Sequence, residues 1–255
     1  MKLQLARLAI LAFILAAWEL VSGRLVPAYL ISTPSKVAVT FWQWLMDGRL
    51  FYHAGITALE AVLGFILGAL AGMTAGVVLG RAKGLADLLN PFIVAFYSIP
   101  KVALAPLFII WFGIGIEMKI LLTATIVFFL VFLNTFTGVR GVSPELVSIL
   151  RLMGANERHV LRKVVLPSAV VWVFTGLRLS VPYAMIGAIV GEMIAANRGL
   201  GYLLSHNSSQ FNTAGVFAAL VAIIAMSALL NTAVSWLAEM AMPWNKAARQ
   251  REVTV

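Results

Sequence analysis

Six apolar segments, each about as long as a membrane-spanning helix, set the main constraint on how this chain can fold. A helix needs roughly 20 mostly apolar residues to cross the hydrocarbon core of a bilayer. The segments lie at about 6–22, 53–80, 86–112, 117–138, 167–195 and 213–240. Connections that carry proline and charged residues separate them. The sequence therefore predicts an all-α integral membrane protein with about six transmembrane helices.

The composition excludes a soluble globular domain. Of the 255 residues, 62% are hydrophobic and 11% are charged, and the mean hydropathy is +0.97. A soluble domain needs far more polar surface to cover its core. The net charge of +9 could suggest nucleic-acid binding, but the basic residues lie in chain ends and loops, where they set membrane orientation. We therefore expect contact with membrane lipid and no binding of nucleic acid.

The first apolar segment could be interpreted as a signal peptide, because Lys2 and Arg7 precede an apolar run. No small-x-small cleavage site follows it, and the chain continues through 18–24 with larger and charged residues. We therefore interpret the segment as an uncleaved first span. The chain has no cysteine, so disulfides and thiolate metal sites are excluded.

Lysine and arginine are distributed unequally between the two sides of the membrane. If the N-terminus lies inside, twelve of these residues fall on the inner side: Lys2, Arg7, Arg81, Lys83, Arg140, Arg151, Arg158, Arg162, Lys163, Lys246, Arg249 and Arg251. Five fall on the outer side: Arg24, Lys36, Arg49, Lys119 and Arg198. Cytoplasmic loops carry the excess of positive charge. Both termini are therefore predicted to be cytoplasmic.

The second apolar segment has glycine at every fourth position. These residues are Gly64, Gly68, Gly72, Gly76 and Gly80. Residues four apart lie along one face of a helix, and a glycine face allows a second helix backbone to approach closely in lipid. Glycine is also frequent in spanning helices in general. We predict close helix packing at this face, either within the chain or between two chains.

The third apolar segment is predicted to be broken, because it contains Pro91, Pro100 and Pro106. Irregular backbone at membrane depth is tolerated only where protein or a water-filled cavity surrounds it. Pro100 and Lys101 are therefore candidates for a translocation path. Pro182 and Tyr183 are predicted to interrupt the fifth segment, and the tyrosine ring could line the same path or pack in the core.

Ionisable residues within spans are functional candidates, because burial of a charge is costly. Lys101 could contact an anionic solute or extend towards the outer surface. Arg178 and Glu192 are fourteen residues apart in the sequence, or about 21 Å along a helix, so they cannot pair within it. We expect a structural or gating role for both of these residues. Glu60 is a further intramembrane carboxylate.

The polar segment after the fourth span is predicted to be a cytoplasmic helix–Gly–helix unit. Pro144 and Glu145 suit a first helical turn, Gly154 suits a helix end, and Asn156 suits the cap of a second helix. That second helix has a basic and an apolar stripe, and Pro167 is predicted to end it. Such a helix could lie on anionic headgroups. Docking of a partner explains the helix–Gly–helix unit as well.

The stretch PELVSILRLMGANERHVLRKVVLPSA resembles the cytoplasmic loop signature of bacterial ABC importer permeases. The family pattern is Glu-Ala-Ala, three residues, Gly, about nine residues and Ile-x-Leu-Pro. The positions that match begin at Ser148, Gly154 and Val164, and Ser148 stands where the family has glutamate, with Glu145 three residues earlier. STPSKV, PLFIIWFGIG and GLRLSVPYAMIGAIVGEM extend the resemblance to the sulfonate, taurine and nitrate branch over nearly the whole chain.

This resemblance implies a type I importer, MetI-like architecture, with residues 1–255 forming a single permease domain in the bacterial inner membrane. An ATPase-coupling loop would lie at about 140–166, and its residues would be Glu145, Ser148, Arg151, Gly154, Ala155, Asn156, Arg158, Leu166 and Pro167. The implied partners are a second copy of the chain, two ABC ATPase subunits and an extracytoplasmic substrate-binding protein. ATP and Mg would be bound by the ATPases, because this chain has no G-x-x-x-x-G-K-[ST] loop.

Two other classes of function remain as alternatives. A stand-alone secondary transporter or channel is disfavoured, because proton relays usually need chains of intramembrane carboxylates and few are present here. An enzyme is disfavoured, because no nucleophile–base pair and no metal-ligand cluster is evident. We expect a permease that imports a small solute, such as a sulfonate, taurine, nitrate or a small organic precursor.

Overall fold

The computed structural model describes residues 2–242, and these residues form helices throughout, with no β-strand among them. The α-helices are α1 Lys2–Val21, α2 Ala28–Ile31, α3 Pro34–Met46, α4 Arg49–Arg81, α5 Lys83–Ser98, α6 Ala105–Phe112, α7 Ile116–Arg140, α8 Pro144–Leu152, α9 Glu157–Val160, α10 Leu166–Ala195, α11 Leu200–Ser209 and α12 Thr213–Ala241. A 3₁₀ turn, Lys101–Leu104, precedes α6, and a π-helical segment, Leu161–Val165, joins α9 to α10. The predicted all-α class is confirmed.

Within residues 2–242, five helical stretches are each long and apolar enough to cross a membrane. They are α1, α4, α7, the continuous helix 157–195 and α12. The sixth is a bent pair, α5 with Lys101–Phe112, whose two arms differ in direction by 80°. The six predicted segments therefore correspond to five continuous helices and one bent pair of helices in the described chain. Lys246, Arg249 and Arg251, which were counted on the inner side, lie outside the described residues.

Only one of the three prolines in the third segment breaks the helix. Pro91 lies within α5, and Pro106 lies in the first turn of α6, where the missing N–H has no helical partner to lose. The break falls at Ile99 and Pro100, both of which have extended backbone. The predicted interruption of the fifth segment is wrong, since Pro182 lies inside an unbroken α10.

The described chain contains two compact units, and the first comprises residues 2–58 and 192–226. Its apolar core is formed by Val37, Trp44, Leu50, Leu200, Leu203, Ala218, Ala219 and Ala222. Glu19 accepts hydrogen bonds from the backbone N–H of Ser35 (3.0 Å) and from its hydroxyl (2.7 Å). These bonds tie the end of α1 to the first turn of α3.

The second unit comprises residues 59–191 and 227–242 of the described chain. Its central contact joins α4 to α7 through the five glycines of α4, all of which are buried. A Cβ added at Gly72 would lie 2.7 Å from the carbonyl oxygen of Phe128 and 3.0 Å from the amide nitrogen of Phe132. A Cβ at Gly76 would lie 2.6 Å from the Cβ of Thr135. The glycine face therefore packs within the chain, backbone against backbone.

Substitution of alanine for glycine should have opposite effects at two positions of α4. Gly72→Ala should destabilise the protein by about 1–3 kcal/mol, because the new methyl group meets the backbone of α7. Gly55→Ala is the matched control, because a Cβ there would point into open space, away from every other described helix. It should stabilise the helix by about 0.5–1 kcal/mol. Thermal unfolding in detergent measures both, and equal effects of the two variants would contradict the packing.

Candidate functional site

Residues 144–160 form a helix–turn–helix, which we call the helical hook. The Ser143 hydroxyl accepts from the backbone N–H of Leu146 (3.4 Å) and caps α8. Gly154 has φ +80°, the left-handed conformation that ends the first helix. Asn156 Oδ1 accepts from the backbone N–H of His159 (2.9 Å) and caps α9. The hook therefore has both of the helix boundaries that the sequence predicts.

Pro167 does not end the second helix of the hook, and that prediction is wrong. The helix continues from Glu157 through the π-helical segment into α10. Proline cannot donate to the carbonyl four residues back, which normally breaks a helix. Here the backbone N–H of Leu166 donates to the carbonyl of Leu161, five residues back, and this wider turn accommodates the ring. Arg158, Arg162 and Lys163 therefore lie on an extension of the fifth span.

One side of the hook is anchored to the bundle by an apolar cluster. Val160 and Val165 pack with Val139 of α7, and the hook contributes Val147, Leu150 and Ala155 to the same cluster. Two ion pairs of the Glu157 carboxylate add further contacts, one within the hook and one to the end of α4. Glu157 accepts from Arg81 at the end of α4 (2.7 Å) and from Arg151 of α8 (2.8 Å). Because these side chains are partly or largely exposed, the pairs add little to stability; they link α8 to α9 and α9 to the end of α4.

The opposite side of α8 presents apolar residues to the surroundings. Leu146, Ile149, Leu152 and Met153 are all exposed, and Leu152 is 88% exposed. Their spacing of three to four residues places them on one helix face. A contiguous exposed apolar patch with a polar border marks a surface that binds another molecule.

The polar residues predicted to contact a partner are engaged locally. The Ser148 hydroxyl donates to the carbonyl of Pro144 (2.9 Å). The Ser143 hydroxyl donates to the Glu145 carboxylate, and this hydrogen bond lowers the pKa of the Glu145 carboxyl below its usual value. Glu145 therefore keeps its negative charge in the first turn of α8, where the helix dipole favours it. Arg158, in the second helix of the hook, is exposed.

The bent helix pair lines a cavity of ≈ 480 Å³. Pro100 and Lys101 form part of its wall at the break, and Phe129 of α7 and Tyr183 of α10 complete it. Three of the five residues predicted for a translocation path, Pro100, Lys101 and Tyr183, are thus brought together. Arg178 and Glu192 are not among the lining residues.

Lys101 is held over aromatic rings at the wall of this cavity. Its ammonium nitrogen lies 4.8 Å from the ring centre of Tyr97 and 4.6 Å from that of Phe129, and it donates to the carbonyl of Tyr97. Cation–π contact stabilises a charge in apolar surroundings. The remaining N–H groups of this ammonium can donate to a solute in the cavity.

Glu192 belongs to a buried hydrogen-bond cluster, which we call the α11 clamp. It accepts from the Thr57 hydroxyl and from the backbone N–H of Gly201, both at 2.6 Å. Thr57 also accepts from the N–H of Leu200 (2.8 Å), and His53 Nδ1 accepts from the N–H of Gly199 (2.9 Å). The clamp satisfies the first N–H groups of α11, so Glu192 has a structural role there.

The sequence does not reveal the partners of Glu192, although His53 and Thr57 are polar residues four apart within an apolar segment. That spacing was the available signal, since it places both on one helix face. The cluster also depends on the turn 196–199, whose path cannot be derived from local patterns.

Glu60 and Lys119 form a buried ion pair that the sequence does not reveal. Their Oε1 and Nζ atoms are 3.0 Å apart, and their side chains are 1% and 5% exposed. Lys119 was predicted to be an outer-loop cation, but it lies in the first turn of α7 against Glu60 of α4. The pair therefore neutralises two charges within the α4–α7 contact.

Removal of one member of this pair should cost more stability than removal of both. Glu60→Leu leaves the Lys119 ammonium buried beside an apolar side chain, and we expect about 3–5 kcal/mol of destabilisation. Glu60→Leu combined with Lys119→Met should recover most of that loss. Thermal unfolding of the purified protein measures the difference. If the double variant is no more stable than Glu60→Leu, the loss in Glu60→Leu does not come from the unpaired charge of Lys119.

Comparison with known proteins identifies the family. The pattern of the family "Binding-protein-dependent transport system inner membrane component" matches residues 64–245. The putative aliphatic sulfonates transport permease protein of Bacillus subtilis is 33% identical over 91% of this chain and 85% of its own length. The riboflavin transport system permease protein of Chloroflexus aurantiacus is 39% identical over 86% of this chain and 81% of its own.

A solved structure of similar fold belongs to an inward-facing form of the MetNI methionine ABC transporter. It has a TM-score of 0.65 at 19% identity and covers 78% of this chain and 97% of its own chain. The apolar helices, the helical hook, the family match and the relatives all indicate the same class of protein. The chain belongs to the inner-membrane components of binding-protein-dependent transport systems and is a multi-pass ABC importer permease.

Proposed function

We propose that this permease imports a small organic solute with energy from a separate ABC ATPase that binds at the helical hook. The exposed apolar face of α8 carries the proposal, since it lies on a segment anchored firmly on its other side. The chain lacks the phosphate-binding loop that would let it hold ATP itself. ATP and Mg would therefore be bound by the ATPase.

The hook can transmit force because α9 is continuous with the fifth span. The helix 157–195 has 39 residues and is therefore about 58 Å long at 1.5 Å per residue. Movement of α8 would act on α10 through this helix and on α4 and α7 through the Glu157 ion pairs and the apolar cluster. Closure of two ATPases on two hooks would thus rock the spans between outward and inward access.

The proposed assembly contains two copies of this chain, two ATPases and one extracytoplasmic binding protein. The charge bias of the loops supports a cytoplasmic location for the hook and for both termini. In this arrangement residues 1–255 act as one permease domain. The coupling residues are those of the hook, with Leu166 and Pro167 at the start of the fifth span.

The cavity at the helix break is the proposed part of the translocation path within each copy. Its volume falls within the usual range for small-molecule sites, and apolar walls surround one ammonium group. This chemistry suits a small anion such as a sulfonate or nitrate, the sulfonate group of taurine, or a small organic precursor. The relatives carry names of different solutes, so selectivity would depend largely on the binding protein.

A charged substitution on the exposed face of α8 should weaken ATPase binding without unfolding the permease. Leu152→Glu should reduce the ATPase that co-purifies with the permease by about tenfold or more, because an apolar anchor is replaced by a charge. Arg162→Gln is the control, because it alters a nearby exposed cation outside the hook. Co-purification and ATP-driven uptake are the measurements. Unchanged ATPase recovery with Leu152→Glu would rule out this face.

Loss of the cavity ammonium should slow transport while the complex still assembles. Lys101→Ala is expected to lower uptake by about tenfold or more, the loss expected for one hydrogen bond between a charged group and the solute. Lys101→Arg should retain part of the rate, and Arg24→Ala, at an exposed position, should have no effect. Proteoliposomes that contain permease, ATPase and binding protein provide the assay. Wild-type uptake by the Lys101→Ala transporter would exclude a role in the path.

A further inference from the structure

The turn between α11 and α12 presents an aromatic ring from a strained backbone position. Phe211 has φ +54°, and its side chain is 76% exposed. Bulky residues rarely adopt the left-handed region, and a large exposed ring gains nothing from its own chain. A strained backbone persists where the surrounding structure holds it, and such positions cluster at functional sites.

Hydrogen bonds around the turn hold Phe211 in this conformation. Its backbone N–H donates to the carbonyl of Ser208 (3.1 Å), and the N–H of Asn212 donates to the carbonyl of Asn207 (2.9 Å). Asn207 is buried, donates to the carbonyl of Leu203 (2.7 Å) and accepts from the Asn212 amide (2.8 Å). The turn is therefore fixed before any partner arrives.

The other end of α11 is fixed as well. The α11 clamp holds the N–H groups of Gly199, Leu200 and Gly201 through buried side chains. A helix fastened at both ends presents Phe211 with little loss of conformational entropy on binding, and such preorganisation favours affinity. An aromatic residue held in this way is suited to be an interface anchor.

The surroundings of Phe211 have the composition of an interface border. Ser208, Ser209, Gln210 and Asn212 are exposed, polar and uncharged. Three residues after Phe211, Ala214 lines a shallow hollow of ≈ 330 Å³ together with Ser35 and Lys36 at the start of α3. An aromatic anchor with a polar rim is typical of protein–protein interfaces. The lysine favours an acidic group on the partner.

If the hook is cytoplasmic, as proposed, one crossing of the bilayer by α10, which is long enough for it, would bring the turn that follows to the extracytoplasmic side. Importers of this family depend on a binding protein. We propose that the Phe211 turn and the Lys36 hollow form a docking surface for the solute-binding protein. That protein would supply an apolar pocket for the ring and an acidic side chain for Lys36. The inference rests on the proposed function in placing the binding protein on this side.

Phe211→Asn removes the aromatic ring without adding strain to the backbone of the turn. Asparagine adopts φ > 0 more readily than other non-glycine residues, so the turn should keep its shape and its thermal stability should not fall. The transporter is assembled with its ATPase in nanodiscs. It is then titrated with a solute-binding protein that is encoded in the same genome and that stimulates ATP hydrolysis by the wild-type transporter. The concentration for half-maximal stimulation should rise about tenfold or more, with the unstimulated rate unchanged.

Ser208→Ala is the matched control, because it removes a hydroxyl from the polar border of the same turn, where truncation of a single side chain changes binding little, and its titration should stay within about twofold of the wild type. Lys36→Glu should also raise the half-maximal concentration, and its titration should lose the salt dependence of the wild type. A wild-type titration by Phe211→Asn, or equal losses in Phe211→Asn and Ser208→Ala, would overturn the proposal.

A photoreactive phenylalanine analogue at position 211 tests the occupant in intact cells, independently of ATPase binding. A cross-linked adduct identified as a solute-binding protein supports the proposal. Adducts with lipid alone, or with a second copy of this chain alone, overturn it. If no ATPase binds the wild-type hook, the proposed function fails, and the cross-link still decides what contacts Phe211.

Discussion

The backbone contact between α4 and α7 is the constraint on which the second unit depends. Association of helices in lipid has no hydrophobic drive, so it depends on close packing and on polar contacts. The glycines of α4 supply the first, because their missing side chains let the backbone of α7 approach. Glu60 supplies the second, since it stands four residues before Gly64 on the same helix face and pairs with Lys119. One face of α4 therefore carries both the shape and the charge that select α7.

This contact also supports the two candidate functional regions. The end of α4 contributes Arg81 to the Glu157 ion pairs of the helical hook, and the end of α7 contributes Val139 to its apolar cluster. Further along α7, Phe129 lies in the wall of the cavity at the helix break. Because one helix pair positions both the hook and the cavity wall, movement at one has a short mechanical route to the other.

Local features of the fold could be predicted from the sequence, and distant partners could not. Hydropathy located the spans, and Gly154 and Asn156 predicted the helix boundaries of the hook, because caps depend on neighbouring residues. The effect of each proline could not be predicted in the same way. Pro100 breaks its helix, Pro106 falls in a first turn, and a π-helical segment accommodates Pro167. The partners of Glu60 and Glu192 depend on the pairing of distant helices, which a single sequence does not encode locally.

The π-helical segment has a consequence for the geometry of the hook. A carbonyl bonded to the fifth residue ahead takes up one residue more than an α-helical turn does. One residue corresponds to a rotation of about 100° in an α-helix. The π-helical segment therefore rotates α9 and α8 about the axis of the fifth span. The rotation is roughly that angle, relative to an uninterrupted α-helix. Gain or loss of a single residue in this segment would therefore turn the exposed surface of α8 about the span, with no change to the sequence of the span itself.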